Sequence, residues 1–162
     1  MQESKVIKPT TENQHPLKNT IKVFLAGSIE MGAAEDWQMK IEKFLENEKV
    51  TIYNPRRDDW DSSWTQEESN PQFNYQVNWE ISKLIDSDVI FMYFSPQTKS
   101  PISLLELGMF SRDQKMIVCC PDGFWRKGNV EVVCTRFKIP MFDDFNKALG
   151  SLLSTVNSHK TW

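Results

Sequence analysis

The sequence predicts a single doubly wound α/β domain, with five parallel strands in the order 2-1-3-4-5 and helices on both faces, the flavodoxin-like arrangement. Three observations carry that expectation. Short apolar runs alternate along the chain with longer amphipathic segments, the pattern of strand–helix–strand units. The run 88–94 (DVIFMYF) is apolar almost throughout and closed by Ser95-Pro96, as a strand buried on both faces should be. The chain has 162 residues, room for one core and not for two domains.

The elements follow in chain order. Residues 1–19 are polar, hold two prolines and show no period, which predicts a mobile tail ahead of a domain spanning 20–162. Residues 21–26 (IKVFLA) read as the first strand. It runs into Gly27-Ser28-Ile29, where a glycine permits the sharp turn and close backbone approach of a ligand loop. From Ala33 to Glu48, Trp37, Ile41, Phe44 and Leu45 form one apolar stripe, hence an amphipathic helix. Residues 50–53 (VTIY) are the second strand, ending at Asn54-Pro55. The loop beyond, RRDDWDSSWTQEESNPQF, is long and irregular, and such loops in compact domains are functional or disordered. Arg56, Arg57, Asp59, Trp60 and Trp64 make it a candidate lid or rim; the bland alternative is a solvated charged loop.

Residues 73–86 place Val77, Ile81, Leu84 and Ile85 at helical spacing, with Glu80 beside that stripe. After the third strand, Pro101 opens a helix bearing Ile102, Leu105, Met109 and Phe110. Residues 116–120 (MIVCC) are the fourth strand. The stretch 121–129 (PDGFWRKGN) reads as a Gly-rich loop with an aromatic pair, Phe124-Trp125, and a basic pair, Arg126-Lys127. Residues 130–137 suit a short helix or an irregular crossover. Residues 138–142 (KIPMF) read as an edge strand, because Pro140 cannot donate to a central ladder. Asp143-Asp144 offers an N-cap to a last helix with Phe145, Leu149, Leu152 and Leu153.

Composition narrows the function. A net charge of -3, from 19 basic and 22 acidic residues without a long run of one sign, indicates neither a nucleic-acid groove nor a membrane patch. Small-molecule partners are expected instead. No apolar stretch is long enough to span a bilayer and the first residues are polar, so the expected setting is the cytoplasm. The three cysteines are odd in number and two adjoin each other in a strand, which predicts neither a disulfide nor a zinc site; no metal or cofactor is expected. Several of the six Trp and ten Phe fall in polar loops, as candidates for stacking on a flat ligand or for a subunit interface.

Glu106 is the residue that does not belong to its surroundings. It stands between Leu105 and Leu107 in an apolar helix, just beyond a strand's carboxyl end, where open α/β sheets hold their ligands. A Glu so placed is usually partly exposed or ion-paired; the functional reading is a carboxylate held by low-dielectric walls against a ligand. Two blocks decide between them. The run SPISLLELGMF has small Ser100 six residues before Glu106 and Gly108 two after, and NWEISKLIDSDVIF has Glu80 eight residues before Asp88. Both resemble the nucleoside 2-deoxyribosyltransferase family, including its 2'-deoxynucleoside 5'-phosphate N-hydrolase branch, and the resemblance extends over about residues 21–129.

That resemblance implies cleavage of the N-glycosidic bond of a 2'-deoxyribonucleoside by double displacement. Glu106 would attack C1', and Glu80, at a position usually held by Asp in the family, would hold and protonate the departing base. The sugar then passes to a second nucleobase or to water. The chemistry needs such a pair: one carboxylate captures C1' of an oxocarbenium-like state and one acid serves the leaving group, and two acids in one crevice push their pKa values apart. The family's transferases have Asp at the Ser100 position to bind the 5'-hydroxyl, whereas the N-hydrolases have Ser, which does not repel a phosphate. The wording of SPISLLELG and GFWRKGN keeps transferase as the first expectation. A 5'-monophosphate N-hydrolase is the alternative, and a non-catalytic nucleotide sensor the second alternative.

The substrate-binding residues expected are Gly27, Ser28, Asn54, Arg56, Asp59, Trp60, Ser100, Trp125 and Asn129, with Arg57, Arg126 and Lys127 as further donors if they face inward. Asn129 is the implied counterpart of an Asn lent by a neighbouring subunit, so a homodimer or larger homo-oligomer is expected. Expected partners are a deoxynucleoside or deoxynucleotide and a free nucleobase. Asp88, at a strand start, reads as structural.

Overall fold

In the computed structural model, which describes residues 3–29 and 34–159, the apolar run at the centre of the chain is strand β4 (Val89–Tyr93), buried at every position. Its residues alternate between two cores: Ile90 and Met92 join one, Val89, Phe91 and Tyr93 the other. This two-sided burial is why the run shows no polar alternation.

Around β4 lie β1 (Lys5–Ile7), β2 (Ile21–Gly27), β3 (Val50–Tyr53), β5 (Met116–Cys119) and β6 (Met141–Phe142), in one six-stranded sheet of order β1-β3-β2-β4-β5-β6. Every pairing is parallel. One face carries α1 (Trp37–Phe44) and α5 (Phe145–Ser158), the other α2 (Pro71–Asp86), α3 (Pro101–Phe110) and α4 (Lys127–Phe137). Cys119 and Cys120 point into opposite cores, so adjacency in sequence does not bring their thiols together; all three cysteines are buried and free.

The sheet departs from the expected five strands in the order 2-1-3-4-5 by an added edge strand. The expected mobile tail 1–19 contains β1, whose Lys5, Val6 and Ile7 pair with Thr51, Ile52 and Tyr53, and Ile7 is fully buried. The segment after it lies along α2: Trp79 Nε1 donates to Gln14 Oε1 (2.9 Å) and the Tyr75 hydroxyl to the Pro9 carbonyl (3.0 Å).

Helix limits follow local chemistry. Asn70 caps α2 by accepting the Phe73 N–H (3.0 Å), with Pro71 in the first turn, and Asp144 caps α5 through Lys147 N–H (2.9 Å) as expected. Asp36 caps α1 through Met39 N–H (3.0 Å), so that helix starts later than the expected Ala33, which lies outside the described residues. The expected loop 121–129 ends at Arg126, because Lys127-Gly128-Asn129 form the first turn of α4. Lys138, expected to open a strand, instead closes α4 in the left-handed conformation (φ 57), and β6 begins only after Pro140. Asp88 accepts the Lys22 backbone N–H (2.7 Å), the structural role expected of it.

Candidate functional site

β2 and β4 end side by side at the carboxyl edge of the sheet, where Gly27 pairs with Tyr93. Gly27 has φ 136, and a Cβ there would run into the Tyr93 backbone, so both conformation and space require glycine. The next residue, Ser28, is buried and works as a hub. Its backbone N–H donates to the Tyr93 carbonyl (3.0 Å), and its Oγ accepts the Ser95 N–H (2.8 Å). The same Oγ lies 2.6 Å from Ser100 Oγ and 2.8 Å from Thr98 Oγ1, which are 2.7 Å apart. Trp37 Nε1 donates to the Ser28 carbonyl (2.9 Å), anchoring the turn to α1. Ser100, at the mouth of α3, is held in the left-handed region (φ 47), a conformation that costs a non-glycine residue on the order of 1 kcal/mol and that these buried hydroxyl contacts hold in place. Its side chain caps no amide of α3.

From this edge α3 carries Glu106 inward. Glu106 is only 8% exposed, and burial, reinforced by the charge of Glu80, pushes its carboxyl up to about 8. Glu80, on α2, is half-buried. Burial raises its carboxyl to about 7, while a hydrogen bond from Gln76 Nε2 (2.8 Å) opposes the rise. Two helices thus bring two acids within electrostatic reach in a poorly solvated place. Two acids so placed titrate as a pair, each raised above the ordinary carboxyl range. Among the described residues no group of His, Cys, Asp and Glu could hold a metal ion.

The other expected site residues are distributed differently. Asn54 is buried and spent on the backbone turn: Oδ1 accepts the Arg56 N–H (2.9 Å) and Nδ2 donates to Glu42. Arg56 clamps the segment before α1, donating to the carbonyls of Ala34 (3.2 Å) and Glu35 (3.3 Å). Asp59 is taken by Arg57 in a two-pronged ion pair, 2.9 Å at each oxygen. Arg57 also lies over Trp64 (5.1 Å), and Trp64 meets Trp60 edge-on (5.0 Å). The indole N–H of Trp60 is buried without a hydrogen-bond partner.

Trp125 is 46% exposed and flanked by Lys99 (4.5 Å) and Arg126 (4.3 Å). It lines a groove between α3 and α4 with Leu104, Leu107, Gly108 and Asn129. By helical spacing that groove opens on the side of α3 roughly opposite Glu106. It is apolar and no pair of titratable groups lines it, in contrast to the α2–α3 side. Lys127 is spent on Asp122 and Asp143, at 2.6 Å each.

Sequence reasoning left out Gln76 and Thr98. Gln76 stands one helical turn before Glu80, a spacing that brings two side chains together on a helix. Thr98 had no signal beyond lying in the loop that follows the central strand.

A family model described as "Nucleoside 2-deoxyribosyltransferase like" matches residues 20–124, well over half of the chain. The match contains β2 through β5, and with them Gly27, Ser28, Glu80, Ser100 and Glu106; β1 and α4 lie outside it. No curated protein matches.

Proposed function

The chain belongs to the nucleoside 2-deoxyribosyltransferase-like family, and from that premise we propose that it cleaves the N-glycosidic bond of a 2'-deoxyribonucleoside and passes the sugar to another nucleobase or to water. The observation that carries this reading is the pair of poorly solvated carboxyls, Glu106 and Glu80, on separate helices and within electrostatic reach of each other.

In the first step an ionised Glu106 oxygen forms a bond to C1' as the bond from C1' to the base nitrogen breaks. The electron pair of that bond leaves with the base, and Glu80 supplies the proton that neutralises it. In the resting pair the proton favours Glu106, raised to about 8 against about 7 for Glu80, and it is the cationic character developing at C1' that favours the charge on Glu106 and shifts the shared proton to Glu80. In the second step the nitrogen of an incoming base, or water, attacks C1'. The Glu106 ester bond breaks, and Glu80 recovers a proton from the nucleophile. In this reading Gly27, Ser28 and Ser100 shape the sugar end of the crevice, and the buried, unpartnered N–H of Trp60 is an unused donor in the loop after β3.

A second reading, a 5'-monophosphate N-hydrolase, is favoured by the neutral Ser100 together with a first turn of α3 that receives no side-chain cap, since helix N-terminal amides suit phosphate. Deoxynucleosides and their 5'-monophosphates, each incubated with and without an acceptor base, separate the outcomes. New nucleoside formed only with acceptor is the expected result; free base released equally well without acceptor, and from monophosphates alone, replaces transferase by hydrolase. Absence of base release or exchange from both substrate classes overturns the reading.

A second copy of the chain completes this proposal. Ile102, Leu105 and Met109 form a stripe on α3, between 47% and 59% exposed, beside the face that bears Glu106. A helix that is apolar all round wants cover on every side. Asn129, being turned away from its own Glu106, serves a site only from a neighbouring subunit.

A further inference from the structure

Among the described residues Gln76 is the one side chain that hydrogen-bonds Glu80, and its own orientation is over-determined. Its oxygen accepts from Arg57 Nη1 (3.4 Å), while its Nε2 donates to the Pro55 carbonyl (3.1 Å) and to Glu80 Oε1 (2.8 Å). Rotating the amide by half a turn would set an NH2 group against a guanidinium and an oxygen against both a carbonyl and a carboxyl. Only one orientation satisfies all three neighbours. Arg57 is itself fixed by its paired bonds to Asp59, and Gln76 is 5% exposed, so little water competes.

We propose that Gln76, locked by Arg57, is a positioning residue that pins Glu80 Oε1 as a permanent acceptor and so presents Oε2 as the oxygen that carries the proton. A donor fixed against Oε1 favours the carbonyl-like, accepting role for that oxygen and so disfavours a proton there relative to Oε2. Among the described residues no hydrogen bond reaches Oε2, which leaves it to face the departing base. The same N–H stabilises the carboxylate after the proton has gone, so it sets how readily Glu80 gives the proton up and takes it back. Among the described residues the titratable groups near this contact are Glu106 from α3, Arg57 from the loop after β3, whose charge is largely answered by Asp59, and on α2 itself the neutral Tyr75, which lies near Arg57. The leaving-group role of Glu80 rests on the reading given under Proposed function, whereas the hydrogen-bond arrangement does not.

The test titrates Glu80 directly, by carbon-13 NMR of side-chain carboxyls in the full-length protein, with its resonance assigned by disappearance in Glu80→Gln. In Gln76→Leu, of similar volume, the Glu80 titration moves upward by about one pH unit, because the donor to its ionised form is lost. In Gln76→Glu, which keeps the Arg57 contact but replaces the donor by an acceptor, it moves further. Arg57→Met frees the amide to rotate and gives a smaller shift in the same direction, and it decides the matter if the Gln76 variants do not fold. For a folded enzyme that turns over deoxynucleosides, the alkaline limb of kcat moves with the titration, most clearly for poor leaving groups. A merely structural role would lower stability without moving the titration or the limb, so an unmoved Glu80 titration in folded variants overturns the proposal. If wild type turns over no deoxynucleoside, the functional reading fails on its own and the NMR titration still decides the role of Gln76.

Discussion

Two regions of this chain concentrate residues with chemistry in them, and packing treats them in opposite ways. Along α2 and α3, Glu80 and Glu106 lie more than a strand apart in sequence and are each surrounded by apolar residues. The fold buries Glu106, half-buries Glu80 and brings them within electrostatic reach of each other. At the start of α4, Trp125, Arg126 and Lys127 are consecutive, and the fold leaves the aromatic ring half in solvent and neutralises Lys127 with two exposed carboxylates. The difference teaches that density of functional residue types in sequence is a poor guide to a site. Desolvation is the better one, because it is the largest cause of the raised carboxyls here and makes their charges count at a distance.

The largest expected effect tests the first region. Glu106→Ala should reduce kcat by about three orders of magnitude or more in a protein that remains folded, since a covalent route without its nucleophile keeps only binding and positioning. Glu80→Ala should cost less, about 10²- to 10⁴-fold, and less for activated leaving groups than for poor ones. Steady-state kinetics on a graded series of leaving groups reads both. Equal losses across the series would deny Glu80 the acid's role and with it half of the contrast between the regions.

A stability experiment sharpens the same contrast. A carboxyl whose folded pKa is raised takes up a proton on folding. Below the ordinary value of 4.5 Glu106 is protonated in folded and unfolded chains alike, so it adds no pH dependence there. Between 4.5 and about 8 the unfolded chain loses the proton first, so stability falls as pH rises and the full cost stands above about 8. Glu106→Gln removes the charge and should gain ~1–3 kcal/mol at pH 9, a Tm higher by several degrees, with little change at pH 4. Melting curves at the two pH values that coincide for variant and wild type would mean that the carboxyl is not desolvated.

How much of this was legible depended on the range over which each feature is determined. β4 and the capped start of α5 were readable because burial on two faces and a cap followed by a helix are local patterns, whereas α2 begins at Pro71, inside the stretch read as loop, because its Asn70 cap stands among other loop-forming residues. β1 was not: three residues, Lys5–Ile7, cannot show a period, and what makes them a strand is the edge of β3, far away in sequence. Lys127-Gly128-Asn129 resembled a loop because Gly and Asn are weak helix formers, yet a first turn tolerates them, since its N–H groups have no intrahelical partners to lose. In the site, the acids stood out against apolar neighbours, while Gln76 did not. A polar residue near a helix start is ordinarily solvated, and only Arg57 and the Pro55 carbonyl, brought in by the preceding loop, give it a task.

The smallest expected effect tests the second region. Lys127 makes two ion pairs of 2.6 Å, which by geometry alone would look strong. Their partners, Asp122 and Asp143, are 93% and 69% exposed at the side chain, so water and salt screen the attraction and holding three mobile side chains offsets much of it. Lys127→Ala should therefore shift stability by no more than about 1 kcal/mol, and less in high salt. It should leave kcat within about twofold, because the groove beside it opens away from Glu106 and two of the lysine's three N–H donors already serve Asp122 and Asp143. Kinetics and melting curves at low and high salt measure both. A loss of kcat comparable to that of Glu80→Ala, with the fold intact, would mean that the α4 corner reaches a reaction centre after all. The only geometry that allows this is a neighbouring subunit's crevice, and the contrast between the two regions would then be one between two halves of a shared site.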